Sequence, residues 1–378
     1  MSRLFVVFLV LAALMLPVSA QAADPSVFKV VFLMAETPQD HGWNAAHWRG
    51  IQQLKTLGTT EAETSTGFSV RLPDGRLLEV TTIQGIGYAE PDIKRMAEDA
   101  VNKGADLVFG TWFNAARPMA ELAEIYPNVL FEHCSGYPMV QSNGRNFSTY
   151  FIKMEQGDYA AGVAAARMGF TSAGLVATFP IPEPVRGING FILGLQTGDP
   201  FATVRVVWIL SWLDQQREYD AAKALSAEGF PLIRAMADTP YSEQATCDDG
   251  KTAVGYGSDA EPYAPCTIIT NEWNWAAYYV PTVKSALDGT WKSQDWWGGF
   301  PEGAITMAGK AVPYIQDTIT KLKAGFNPFC WISGQIKVNG EMKDITIPRC
   351  LDAMELLTMQ WYVIGQQGEY PDNAAMPQ

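Results

Sequence analysis

Lys29-Val-Val-Phe-Leu-Met-Ala35 is an unbroken apolar run, and residues 44–57 follow it at helical period and stop at Gly58. A short run that is apolar at every position reads as a strand buried on both faces. A helix directly after it reads as the cover of one face. The alternation continues outward from there. Residues 77–84 read as a strand, and 91–103 as a helix with Pro91 at its start and Gly104 just past its end. Strands are expected at 107–110 and 129–133, with a helix at 117–125 between them. In the second half strands are expected at 174–179, 204–210, 232–237, 252–256 and 266–270. Helices are expected at 184–195, at 214–227 with Asp214 as cap, and at 275–287. Residues 59–75 are polar and turn-rich, a surface loop or hairpin. Two such sets in one chain predict an α/β fold of two doubly wound parallel-sheet lobes. Residues 147–151 between them are strand-like, which suits a hinge better than a tether. We assign 28–148 with 270–295 to one lobe, 149–269 with 296–366 to the other, and 367–378 to a tail.

The first residues read as a secretory signal. Arg3 is followed by an apolar run over 4–16, then Pro17, Ser19 and Ala20-Gln21-Ala22. That order is a charged start, an apolar stretch and a small-residue cleavage site, which places cleavage after Ala22 and the mature protein in the periplasm. A membrane anchor is the competing reading, but the run falls short of the roughly 20 apolar residues of a span. The first cysteine is Cys134, so no lipid-anchoring cysteine follows the signal. Export leads to an oxidising compartment, where five cysteines matter. Cys330 and Cys350 flank an expected hairpin with Asn339-Gly340 as its turn. Cys247 and Cys266 flank another segment that returns on itself. Two disulfides are expected, with Cys134 left over and buried; five reduced, buried thiols are the alternative. The net charge of −13 speaks against nucleic acid or an anionic membrane surface as partner.

In open parallel sheets ligands bind beyond the carboxyl ends of the strands. The loops at those ends carry an aromatic set of Trp43, Trp112, Phe179, Trp212 and Trp275. They also carry the polar residues Asn44, Asn114, Asp238 and Asp259. A tryptophan offers a flat apolar face to a planar ligand, and stacking a base on an aromatic is worth ~1–3 kcal/mol. Neighbouring amides and carboxyls can select a heterocycle by its edge. Any single tryptophan here could equally pack a helix on its sheet. Four of them on converging loops, Trp43, Trp112, Trp212 and Trp275, favour a ligand box.

Enzymatic signals are weak. There are three histidines. His41 and His47 are six residues apart and so fall on different helical faces, which argues against a metal, and no cofactor is expected. His133 ends a strand and reads as a satisfied polar residue. No nucleophile elbow, zinc-protease motif or phosphate loop is present.

Several segments together resemble the basic membrane protein family of ABC-transporter solute-binding proteins, relatives of bacterial purine nucleoside receptors. They include Asp40-His-Gly-Trp-Asn44, Phe109-Gly-Thr111, Phe131-Glu-His133 with Gly136-Tyr137, and Glu155-Gln-Gly-Asp-Tyr159-Ala-Ala-Gly162. Phe179-Pro-Ile-Pro182, Arg186-Gly-Ile-Asn189, Trp273-Asn-Trp275 and Leu287-Asp-Gly-Thr-Trp291 complete the set. The resemblance implies the type I periplasmic-binding fold, a monomeric receptor closing on its ligand, and ABC permease subunits as partners. It implies that Trp43 and Trp212 sandwich a purine, with Asn44 beside them and Asn114 reading the base edge. The sugar half of the site departs from the family. Where nucleoside binders hold ribose with an Asp, this chain has Gly257 in Gly255-Tyr-Gly-Ser-Asp259. Where they carry a Lys, it has Asn274. The departure points to a free base such as adenine, hypoxanthine or guanine. A nucleoside receptor, or a sensor subunit for the same ligands, stays open. A secreted nucleoside hydrolase lacks the clustered acids and histidines it would need.

Overall fold

Hydrophobic strands that are buried throughout, such as Leu107–Gly110 and Leu232–Met236, need cover on both faces, and helices supply it here. The computed structural model describes residues 26–135, 139–338 and 340–370. Residues 1–25 with the signal segment, 136–138 with Gly136-Tyr137, Asn339 and residues 371–378 lie outside the described residues.

The chain runs β1 (Val27–Leu33), α1 (Trp43–Gln52), β2 (Thr59–Thr64), β3 (Gly67–Arg71), β4 (Leu77–Ile83), α2 (Glu90–Asn102), β5 (Leu107–Gly110), α3 (Ala116–Ile125), β6 (Leu130–Cys134) and β7 (Phe147–Ile152). It continues with α4 (Met154–Arg167), β8 (Ser172–Ala177), α5 (Pro182–Leu195), β9 (Thr203–Trp208), α6 (Gln215–Ala227), β10 (Leu232–Met236), α7 (Tyr241–Asp248), β11 (Thr252–Gly257) and β12 (Thr267–Trp273). Then come α8 (Ala276–Leu287), β13 (Asp295–Gly298), β14 (Ile305–Ala308), α9 (Gln316–Lys323), β15 (Cys330–Val338), β16 (Glu341–Cys350), α10 (Ala353–Leu357), β17 (Tyr362–Val363) and β18 (Gln366–Gly368).

Two large sheets form the two lobes. One has the order β13-β7-β6-β5-β1-β4-β3-β2, the other β14-β12-β11-β10-β8-β9-β18. The chain leaves the first sheet after β7, returns to it at β13 after α8, and crosses again to β14. Both sheets are parallel through their centres and antiparallel at edges. β3 pairs antiparallel with β2 and β4, and β14 antiparallel with β12. Residues 59–75 are thus a hairpin that extends the first sheet. Its outer strand, Thr-Thr-Glu-Ala-Glu-Thr, is exposed at every position, and a short, acidic edge discourages pairing with another chain.

Helix α4 is not legible by amphipathic period. Its face-to-face packing on α5 buries it almost all round, so its apolar pattern has no polar face to mark it. Glycines make that approach possible. A Cβ on Gly162 would sit 2.2 Å from the Phe191 carbonyl oxygen, and one on Gly194 2.1 Å from that of Tyr159. Two buried ion pairs cross the same layer: Arg234 with Asp158, which Asn271 also bonds, and Arg186 with Glu155 at 3.1 Å.

Both expected disulfides form, Cys247–Cys266 and Cys330–Cys350, and Cys134 is a buried free thiol. The second bridges the first and last residues of the β15–β16 hairpin. β17 joins that hairpin to make a third, small antiparallel sheet. No helix among the described residues is long and apolar enough to cross a membrane.

Candidate ligand-binding cleft

Asp40 builds the first wall. Its two carboxylate oxygens accept from the backbone N–H groups of Gly42, Asn44 and Ala45, at 3.1, 2.7 and 2.9 Å, and so start α1. Asn44 is drawn into the same knot. Its amide nitrogen donates to Asp40 at 2.8 Å, and its amide oxygen accepts from the Glu36 N–H at 3.4 Å. Asn44 therefore reaches the cleft, but its side chain is engaged in holding the loop after β1. Trp43 heads the helix. Its indole N–H donates to the Thr111 carbonyl at 3.0 Å, which ties the loops after β1 and β5 together.

Those loops and their counterparts in the second lobe surround a cleft of about 740 Å³, within the usual range for small-molecule sites. Trp43, Trp112, Asn114 and Tyr88 line it from the first lobe. Phe179, Trp212, Asp238 and Tyr256 line it from the second. Phe179 and Trp212 lie 5.2 Å apart with tilted planes, an aromatic corner at the ends of β8 and β9. The Trp212 carbonyl accepts from the Asp238 N–H at 3.0 Å, which links that corner to the loop after β10. Leu210, also at the rim, holds a left-handed backbone at φ 52°. A leucine costs energy there, and such strain collects at functional sites.

The polar side of the cleft is acidic. Burial pushes the Asp238 carboxyl well above the ordinary range, and the nearby charges of Asp40, Glu218 and Glu183 add to the shift. Burial likewise raises Glu183, which accepts from the Tyr256 hydroxyl at 3.1 Å. Tyr88 is raised by burial and by the charge of Glu36. Arg186 reaches the cleft as a cation, but Glu155 holds its Nε behind the wall. An anionic ligand would find the guanidinium of Arg186 already paired with Glu155, which favours a neutral one.

Two expected site residues are not brought to the cleft. Trp275 is fully buried. It stacks on His47 at 4.3 Å and on Trp273 at 5.2 Å, behind Trp43. Gly50 of α1 draws it inward: a Cβ there would come within 2.7 Å of the Trp275 Cβ, so the helix rests directly on this tryptophan. Asp259 makes a tight turn instead, its carboxyl accepting from the Glu261 N–H at 3.1 Å. Asn274 donates to the Gly303 carbonyl at 2.8 Å. His133 is a buried peg whose Nε2 lies 3.0 Å from the Trp112 carbonyl; burial lowers its pKa to about 4 and keeps it neutral. Among the described residues no cluster of His, Cys, Asp and Glu could hold a metal.

Residues 27–329 match the family model described as ABC transporter substrate-binding protein, PnrA-like. A purine-binding protein of Brucella abortus is 34% identical over 369 residues, covering 95% of this chain and 98% of its own. A Haloferax volcanii protein, provisionally named an ABC transporter glucose-binding protein, is 35% identical over 262 residues, 69% of this chain and 65% of its own. Among solved structures, an ABC-transporter solute-binding protein from Conexibacter woesei superposes with a TM-score of 0.63 at 19% identity. It covers 79% of this chain and 97% of its own. With two lobes, a cleft between them and a family match over most of its length, this chain belongs to the PnrA-like ABC-transporter substrate-binding proteins, which are solute receptors and not enzymes.

Proposed function

We propose that this protein is the periplasmic receptor of an importer and carries a purine, as a free base such as adenine, between Trp43 and Trp212. Receptors of this family work outside the cytoplasm and deliver small solutes to permease subunits. The observation that carries the free base is at Gly257. Its backbone is left-handed at φ 77°, and a Cβ there would lie 2.9 Å from the indole nitrogen of Trp273. Trp273, which is buried, stands beside the position that the family resemblance gives to the ribose-holding Asp. Asn274, the other departure, is turned to Gly303. With both ribose anchors gone, aromatic faces and the Asp238 carboxyl supply the recognition. A purine offers N–H donors and ring-nitrogen acceptors, and a carboxyl can meet either according to its protonation. The likeness to the Brucella purine-binding protein supports the same ligand class.

The test is a thermal-shift and calorimetry panel on protein that has been unfolded and refolded to remove carried-over ligand. It holds four purine bases, their nucleosides, and glucose. Glucose belongs there because of the name of the Haloferax relative. A base at about 100 times its Kd should add roughly 2.7 kcal/mol of stability. Tighter binding of nucleosides would overturn the free-base reading. Binding of glucose alone would overturn the purine.

A further inference from the structure

The family match ends at residue 329, yet the cleft does not. Leu357, Thr358 and Gln360, all beyond that point, line it together with the residues of both lobes. They stand on a segment built for rigidity. Cys330–Cys350 closes the hairpin from which it leaves. Asp352 and Glu355 form a reciprocal capping box that starts α10, and Arg349 grips the Glu355 carboxylate at 2.6 and 2.5 Å. Beyond α10 the chain is clamped to α5. The Asn189 amide donates to the Trp361 carbonyl at 2.8 Å and accepts from the Val363 N–H at 2.9 Å. Gln196 donates to the Ile364 carbonyl at 2.7 Å, and β18 then joins the edge of the second sheet beside β9. Leu356, Met359 and Tyr362 are buried beneath the segment. Helix α5 itself lines the cleft with its first turns, from Pro182 to Arg186.

We infer that residues 357–360 form a third wall of the ligand site and set which substituent on the ring is accepted. A wall fixed at both ends cannot yield to a larger ligand without breaking the bonds to α5. It therefore selects by size, and the Thr358 hydroxyl, which donates to the Met354 carbonyl at 2.8 Å, can still accept from a ligand. The inference rests on the purine reading, and it names the element that discriminates within that class.

The test uses the full chain with Leu357→Ala, Thr358→Ala and Gln360→Ala. Leu351→Ala, a buried residue before the wall that does not line the cleft, is the control. Adenine and adenosine are titrated by calorimetry against each. Opening the wall should improve adenosine relative to adenine by about 10-fold or more in at least one of the three variants, the scale on which pockets discriminate small groups. Leu351→Ala should lower the melting temperature and leave the ratio alone. An unchanged ratio in all three, or an equal loss of both ligands, would reduce the segment to a buttress and overturn the inference. If the wild-type protein binds no purine, the proposed function falls and this inference with it. If wild type binds adenine and the ratio never moves, only the third wall falls.

Discussion

Trp212 and Trp275 are both tryptophans at the carboxyl ends of strands, yet one faces the cleft and the other is fully buried behind it. The acids divide in the same way. Asp238 lines the cleft, while Glu218 and Glu243 lie fully behind the same loop. The site is thus two layers deep. The front layer offers faces and edges to a ligand. The back layer holds the front in place by packing and by buried hydrogen bonds. Residue type does not tell the layers apart; what each residue packs against does.

The sharpest way to separate the layers is Trp275→Ala. It should destabilise the fold by about 3–5 kcal/mol, as loss of a fully buried large aromatic does. Denaturant unfolding of the ligand-free protein would read it, and a small change would move Trp275 out of the packing layer.

The acids of the back layer predict a pH dependence. Burial raises the pKa of both Glu218 and Glu243 to about 8, against an ordinary value of 4.5. Glu218 is held by the Thr239 hydroxyl at 2.5 Å. An acid raised in the folded state binds its proton more tightly there than when unfolded. Its stabilising contribution is complete below pH 4.5 and is lost as pH rises through about 8. Melting temperature should therefore fall from pH 5 to pH 9, and Glu218→Gln should flatten the fall, an effect on the order of a few kcal/mol at alkaline pH. A profile identical in wild type and variant would contradict the assignment.

In the front layer, Trp212→Ala should weaken purine binding by ~1–3 kcal/mol with little change in the melting of the free protein. Calorimetry beside a thermal melt separates the two readouts. A loss of stability without loss of affinity would put Trp212 in the same class as Trp275.

The last test lies at the boundary between the layers. Gly257→Asp should cost about 1–3 kcal/mol of stability through its left-handed backbone and its clash with Trp273. It should gain no affinity for nucleosides. A gain in adenosine binding would mean that the cleft can still hold ribose there.

Much of this was legible because it depends on near neighbours in sequence. The apolar runs predict β1, β5 and β10, and Asp214 caps α6 as its position before that helix implies, accepting from the Arg217 N–H at 3.0 Å. The two disulfides follow from spacing and compartment. Trp43, Trp112 and Trp212 reach the cleft because they lie in loops that the parallel sheets gather at one end. Tyr88, Phe151 and Tyr256 also line the cleft and were not singled out. Phe151 and Tyr256 lie inside strands, where an aromatic carries no mark of the face it will meet, and Tyr88 sits in the loop between β4 and α2.

By itself, then, the sequence determined the alternation of strands and helices and the family to which the chain belongs, and it favoured the pairing of four cysteines that the structure forms. Each of these rests on local periodicity or on a pattern of residues close in the chain. Tertiary structure alone decided that Gly50 draws Trp275 into the core, that Trp273 occupies the space beside Gly257, and that residues 357–360 return to line the cleft. Those outcomes depend on contacts between elements tens to hundreds of residues apart, whose closeness arises only when the sheets are assembled and packed.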